Sequence, residues 1–257
     1  MEEASLPRQA RKKSVSGIYH VMMRGVNREP IFHEDKDYLR FLEILAKVKE
    51  KAPFIIYAYC LMYNHVHLLF QELEESIGDT VRRISSSYVY GFNRKYNRVG
   101  HLFQERFHSE PVDDDPYFLT VLRYIHQNPI KAKITQQCSE YPWSSYAIYA
   151  SAAQQGKTLV DTTFSLDLMG GQRELLKFIN TPNNDKCLDL ENVIKLSDAE
   201  LLVLIEEMIE GAAISDISKM PPGERDQILR KLKSIEGTTF RQIARLTGLG
   251  RWMVSNA

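Results

Sequence analysis

Cysteine is scarce in this chain. There are three in 257 residues, Cys60, Cys138 and Cys187, far apart and without a pattern. That excludes a disulfide framework and a cysteine zinc site, and it fits a reducing cytoplasm. Long hydrophobic runs are also absent. The longest, Phe54 to Tyr63, is about half of the ~20 residues that span a bilayer. The first fourteen residues are basic but have no apolar segment behind them, so they read as a flexible arm and not as a secretory signal. Net charge is missing as well, with 33 Lys+Arg against 33 Asp+Glu. The distribution is uneven, however. Residues 151–216 hold five basic against twelve acidic residues, and residues 217–257 hold eight against three. Regional charge governs the binding of a polyanion, so a neutral total does not exclude nucleic acid.

The apolar pattern organises the rest. Gly17 to Arg24 is β-rich, and Asp35 to Lys51 carries Tyr38, Phe41, Leu42, Leu45 and Val48 at helical spacing. Phe54 to Met62 is a nearly continuous run of β-formers, and Tyr63-Asn64 turns the chain into a strand from His65 to Gln71. A helix from Ile77 to Tyr96 and an extended stretch from His101 to Val112 follow. Asp115 offers an N-cap and Pro116 an N1 residue for a third helix, which the bias of residues before Pro129 ends near Asn128. The order β-α-β-β-α-β-α predicts an α+β fold. Its antiparallel sheet is flanked by helices and related to the split-βαβ, ferredoxin-like group. This main domain spans 15–150, followed by a connector over 151–196. A helical region over 197–257 opens with a Ser197/Glu200 capping box. It closes as a helix-turn-helix. Ile243 and Ala244 face inward, Gly248 makes the turn, and Leu249 and Val254 anchor a short last helix for a DNA groove.

Two runs carry chemistry. Asn64-His65-Val66-His67 places two imidazoles on one face of a strand, because alternate strand residues point the same way. Alone, the triplet reads equally as two polar-face histidines. Tyr124 and Asn128 lie one helical turn apart on one face, together with Tyr117 and Val121. Alone, that is an ordinary amphipathic helix with a C-capping asparagine, and thirteen tyrosines leave the nucleophile open. Together the groups share one chemical task. Two imidazoles and an amide oxygen suit Mg²⁺ or Mn²⁺ when water and phosphate complete the shell. A phenol with a pKa near ~10 is a poor nucleophile until a cation or base helps it attack a phosphodiester. Basic residues accompany them. Arg24, Asn27 and Arg28 follow the first strand. Arg82, Arg83, Arg94, Lys95 and Arg98 lie along or just beyond the second helix with Tyr90 and Tyr96, Arg106 lies in the fourth extended stretch, and Arg245 and Arg251 lie in the tail. Cations can track a nucleic-acid backbone while aromatics stack bases, although the Arg82-Arg83 pair fits a solvated helix face equally well. Asp113-Asp114-Asp115 reads as a loop with a helix cap, not a metal cluster.

The ordered stretches Tyr19-His20-Val21-Met22-Met23-Arg24-Gly25-Val26-Asn27-Arg28, Asn64-His65-Val66-His67-Leu68, Phe92-Asn93-Arg94-Lys95-Tyr96 and Gly100-His101-Leu102-Phe103-Gln104-Glu105-Arg106-Phe107 go together. With Arg123-Tyr124-Ile125-His126-Gln127-Asn128-Pro129 and Tyr141-Pro142-Trp143-Ser144-Ser145-Tyr146, they resemble the REP-associated tyrosine transposases of the HUH single-strand DNA transposase group. The resemblance covers about residues 15–150. It implies that His65 and His67 are metal ligands, with Asn128 a third, and that Tyr124 is the nucleophile forming a 5′-phosphotyrosine and a free 3′-OH. It implies single-stranded DNA beside imperfect hairpins as substrate, and monomers or homodimers. The tail looks like the helix-turn-helix of some members, a second contact for double-stranded DNA. Lys133 stands where the family often has glycine, and Gln127 where it has an apolar residue. Two other readings compete. One is a DNA-binding regulator of repeat hairpins with an idle catalytic centre. The other is an RNA-binding sheet module that uses exposed aromatics.

Overall fold

The computed structural model describes residues 12–104, 106–151, 158–188, 198–209, 214–235, 238 and 240–256. The chain divides into two compact units, 1–188 and 189–257. In the first, β1 (Ile18–Arg24), α1 (Asp35–Lys51), β2 (Phe54–Met62), β3 (His65–Glu72), α2 (Ile77–Lys95), β4 (His108–Pro111) and α3 (Asp115–Lys131) follow the expected order. The sheet order is β2-β3-β1-β4 with antiparallel pairing throughout, which is the split-βαβ arrangement. Only β4 is shorter than expected. Residues 101–107 form a loop that touches the sheet through a Gly25–Phe103 bridge.

The central strands are buried on both faces, so both faces need cover. Met23 shares a cleft with Val81 and Ser85 of α2, which places the odd-numbered side chains of β1 on the α2 side. His20 meets Tyr124 of α3, which places the even-numbered ones on the α3 side. Helix α3 packs on β2 and β3, and α1 packs on α2. The join of α1 and α2 is polar. The buried Asp37 carboxylate, at the α1 capping box, receives the His33 and Glu34 N–H groups, the Tyr96 hydroxyl and the Lys95 ammonium. Burial alone would raise this carboxyl, but those donors hold it below its ordinary range.

Helix α3 departs from expectation at both ends. Its cap is Asp114, whose carboxylate accepts the Tyr117 N–H at 2.8 Å, and Asp115 is already helical. Asp113 binds the N–H groups of Val15 and Ser16. Pro129 does not end the helix, which runs on to Lys131. Proline deprives only the Ile125 carbonyl of its partner, and Ala132 N–H still reaches Asn128 O at 2.9 Å. Packing of the buried 125–129 stretch outweighs the local preference.

The segment read as a connector holds packed structure up to Leu188, while 152–157 and 189–196 lie outside the described residues. Helices α4 (Tyr146–Ala150), α5 (Thr163–Met169) and α6 (Gln172–Asn180) belong to the first unit, and α6 packs on α3 through buried Leu175 and Ile179. Gln127 explains its own polarity here. Its amide nitrogen donates to the carbonyls of Ile179 and Thr181, and its oxygen accepts from Asn183. Arg123 forms a two-pronged pair with Asp185. These bonds make the segment after α6 part of the α3 surface.

The second unit contains α7 (Asp198–Met208), α8 (Pro222–Ser234), α9 (Phe240–Thr247) and α10 (Arg251–Asn256). Ile243, Ala244, Leu249 and Val254 are buried as expected, and Gly248 turns the chain at φ 71, a left-handed conformation suited to glycine. Ser197 of the expected capping box lies outside the described residues.

Lys133 lies just after α3 at φ 57, also in the left-handed region. Relief of that strain outweighs the extra freedom glycine gains in the unfolded chain, so Lys133→Gly is expected to stabilise the first unit by about 0.5–1 kcal/mol. Asp37→Ala is expected to cost about 2 kcal/mol through the lost charged hydrogen bonds. Urea unfolding of the two variants checks both values and both signs.

Candidate active site

The β2–β3 hairpin turns at Tyr63-Asn64, so His65 begins β3 and His67 follows on the same face. Beside them β1 pairs in a fixed register, Met22 opposite His67 and Arg24 opposite His65. A 3-10 turn at Val26–Arg28 then folds back onto Asn64. Gly25 permits this turn, because a Cβ there would lie 2.2 Å from the Glu29 carbonyl oxygen. Asn64 reads the result. Its amide nitrogen donates to Arg28 O at 3.1 Å, and its oxygen lies 2.7 Å from His65 Nδ1. An amide oxygen only accepts, so Nδ1 of His65 carries the proton and Nε2 keeps its lone pair.

His67 has a different partner. Its Nδ1 lies 2.9 Å from Nε2 of His20, which is fully buried on β1. The sequence reading assigned His20 no role. The signal was there, since His20, Met22 and Arg24 alternate along β1 and so share a face. Burial pushes His20 down to about 3 and His67 well below the ordinary imidazole range, the latter helped by the charges of His65, His20 and Arg24. Both rings are therefore neutral near pH 7.

Tyr124 closes the group. Its ring centroid is 5.8 Å from His67 and 5.8 Å from His20, edge-on to both. It is 2 % exposed, and the Lys131 ammonium sits 4.3 Å from the ring centroid. Lys131, two turns along α3, was also not anticipated. Asn128 donates its amide nitrogen to Tyr124 O at 3.0 Å, which leaves its oxygen as the amide atom open to a ligand. Tyr124 thus comes to His67 within one chain.

A divalent cation fits this donor set. His67 Nε2 is buried and has no hydrogen-bond partner among the described residues, so it is an acceptor without a donor. Among the described residues no group of three or more His, Cys, Asp or Glu side chains is placed to hold a metal ion by itself. A cation here would take its other ligands from His65, the Asn128 amide oxygen, water and phosphate.

The expected cations are dispersed. Arg24 is part-buried and close enough to act on His67, and Arg28 and Asn27 are exposed on the neighbouring turn. Arg82 and Arg83 are exposed but ion-paired with Asp79 and Glu75. Lys95 is held by Asp37 and Glu34, and Arg98 by Glu29 at 2.7 Å. Arg94 is exposed. Arg106 and Arg82 line an open groove of about 1440 Å³ with Lys12, Tyr90, Phe103 and Phe107, and Tyr90 is 72 % exposed. This groove lies on the α2 side of the sheet. In the second unit Arg245 pairs with Asp198 at 2.6 Å, and the Arg251 side chain lies outside the described residues.

A strand-borne histidine pair and a helix-borne tyrosine thus meet on one face of an antiparallel sheet, the arrangement that the resemblance to tyrosine transposases of the HUH type leads one to expect. Residues 13–128 match the family model described as Transposase IS200 like. The same stretch bears out the resemblance to REP-associated tyrosine transposases. A Haemophilus influenzae protein of that description is 25% identical over 122 residues, covering 43% of this chain and 69% of the relative. The solved structure of a REP-associated tyrosine transposase bound to a REP hairpin shares the fold, with a TM-score of 0.50 at 17% identity. It covers 62% of this chain and 96% of its own. Among the described residues no helix is long and apolar enough to cross a membrane.

Burial holds His20 and His126 each near about 3, although a bond to the Leu122 backbone opposes the shift in His126. Unfolding releases both rings to titrate near ~6.5. Below that value the unfolded chain binds more protons than the native one, so stability falls as pH falls. The loss is up to about 1.4 kcal/mol per pH unit for each ring. Urea midpoints of the first transition between pH 7.5 and 5 should decline, and a flat profile would show that these rings titrate alike in both states.

Proposed function

We propose that the chain nicks single-stranded DNA and transfers the strand through a covalent 5′-phosphotyrosine on Tyr124, at hairpin-forming repeats and with a divalent cation. The observation that carries this reading is the contact of Tyr124 with His67 inside one chain. The hairpin bound by the structural relative supports the choice of substrate.

In this reading His65, His67 and Asn128 hold Mg²⁺ or Mn²⁺, which when bound neutralises and orients the scissile phosphate. Tyr124 attacks phosphorus in line. The bond from phosphorus to O3′ breaks, a bond to the phenolic oxygen forms, the phenol loses its proton, and O3′ takes one up. The phosphotyrosine conserves the bond, so attack by another 3′-OH reverses the step and joins new ends. Lys131 lies over the Tyr124 ring, and Arg24 adds positive charge beside the phosphate. Asn27 and Arg28 on their exposed turn, with Arg94, reach flanking DNA. The groove bearing Arg82, Arg106 and Tyr90 offers a basic wall with stacking rings. Arg83, Lys95, Arg98 and Arg245 reach DNA only by exchanging a carboxylate for a phosphate, which makes their contribution salt-dependent. The second unit, with Arg251 on its last helix, supplies a double-stranded DNA contact. Nucleophile and ligands share one chain, so a monomer suffices for cleavage, and a homodimer would carry two complete sites. The cytoplasm is the compartment where such DNA is met.

The test is covalent capture on a hairpin-flanked oligonucleotide with Mg²⁺ or Mn²⁺. Wild type should yield a detergent-resistant adduct that chelation abolishes. Tyr124→Phe should lower adduct formation by about a thousandfold or more while leaving DNA affinity within about twofold. An adduct of normal yield with Tyr124→Phe would show another nucleophile. Binding without wild-type cleavage would favour a regulator, and preference for the matching RNA an RNA module.

A further inference from the structure

We propose that His20 is a positioning residue that fixes His67 in its ligating tautomer, with the proton on Nδ1 and the lone pair on Nε2. The inference rests on the reading of His67 as a metal ligand. It extends that reading to a residue that touches neither metal nor DNA.

The His20 Nε2 to His67 Nδ1 separation of 2.9 Å is a full hydrogen bond between two imidazoles. One bridging proton has two possible owners. If His20 donates, His67 Nδ1 accepts, and the neutral His67 ring must carry its proton on Nε2. That nitrogen is buried without a partner and then presents an N–H to the site. It could not bind a cation. If His67 donates, His20 accepts, and His67 Nε2 keeps its lone pair. Either arrangement leaves one ring nitrogen of His20 and one of His67 unsatisfied, His20 Nδ1 being the other buried atom without a partner. Only the second lets a cation satisfy one of them. An unsatisfied buried polar group is costly, and a bound cation removes that cost at His67.

The neighbouring ligand shows the same logic with a different partner. Asn64, locked by its bond to Arg28 O, accepts from His65 Nδ1 and leaves Nε2 free of its proton. Both histidines of β3 then present the same nitrogen through the same tautomer. Metal-bound histidines are generally oriented by a group that accepts their second N–H, and loss of that group weakens metal binding about 10–100-fold. At His67 the acceptor is a buried histidine, held by the register that sets β1 beside β3. His20 also packs edge-on to Tyr124, at 5.8 Å, so one ring orients a ligand and braces the nucleophile.

Long-range ¹H–¹⁵N correlation of the imidazoles in the full chain, without metal, reads the tautomer directly. The expected result is a proton on Nδ1 of His67, and a proton on Nε2 would overturn the proposal. Mn²⁺ titration supplies the second readout. His20→Phe keeps a buried ring but removes the acceptor, so Mn²⁺ affinity should fall about tenfold or more. His20→Gln restores an oxygen near the position of Nε2 and should recover part of the loss, while thermal unfolding of the two variants stays comparable. Wild-type tautomer and affinity in His20→Phe would also overturn it. Should the wild type show the expected tautomer yet take up no Mn²⁺, the cation reading fails alone and the His20–His67 pairing stands.

Discussion

The structure depends most on the antiparallel pairing of β1 with β3. This register sets Met22 against His67 and Arg24 against His65. A slip of one residue would move His20 and Arg24 to the other face of the sheet. It would leave His67 without its imidazole partner and the site without its nearest cation. Burial on both faces resists that slip, because Val21 and Met23 would lose their place on the α2 side at the same time. The chemistry of the site is therefore tied to the packing of the core.

Helix α3 is the second determinant. It brings Tyr124 to the histidines, and its stability comes from both sides. Its inner face lies on β2 and β3, and Gln127, Arg123 and Lys131 bind the segment after α6. Tyr124 is thus placed by a clamped element and not by a loop. Tyr124 is buried, with Lys131 at its ring face.

Electrostatics are less generous than the basic residues suggest. Lys95 and Arg98 serve the joins of α1, α2 and the turn after β1 through Asp37, Glu34 and Glu29. Arg82 and Arg83 share their charge with local carboxylates. Arg106 lines the groove on the α2 side beside exposed Tyr90. Such sharing moderates non-specific attraction and leaves recognition to shape and stacking.

Much was legible beforehand, and the reason is local. Period-3.6 spacing set α1, and a nearly continuous run of β-formers set β2, to their observed limits, and the alternation of His65 and His67 placed both on one face without any tertiary knowledge. The left-handed positions at Gly248 and Lys133 lie where turn chemistry or a family glycine pointed. What depended on distant contacts was not legible. Pro129 reads as a helix end until the buried 125–129 face outweighs one missing bond, and residues 158–188 read as a connector until Leu175, Ile179 and Gln127 pack. His20 was one polar residue in an apolar strand. Strand pairing, a contact across 47 positions, made it the partner of His67. The sequence by itself determined most elements of the first 131 residues and the shared face of His65 and His67, because those follow from local composition and periodicity. Only the tertiary structure showed that Tyr124 lies against His67, that Lys95 and Arg98 are held by carboxylates and that His20 adjoins His67, because those are set by packing between segments far apart in the chain.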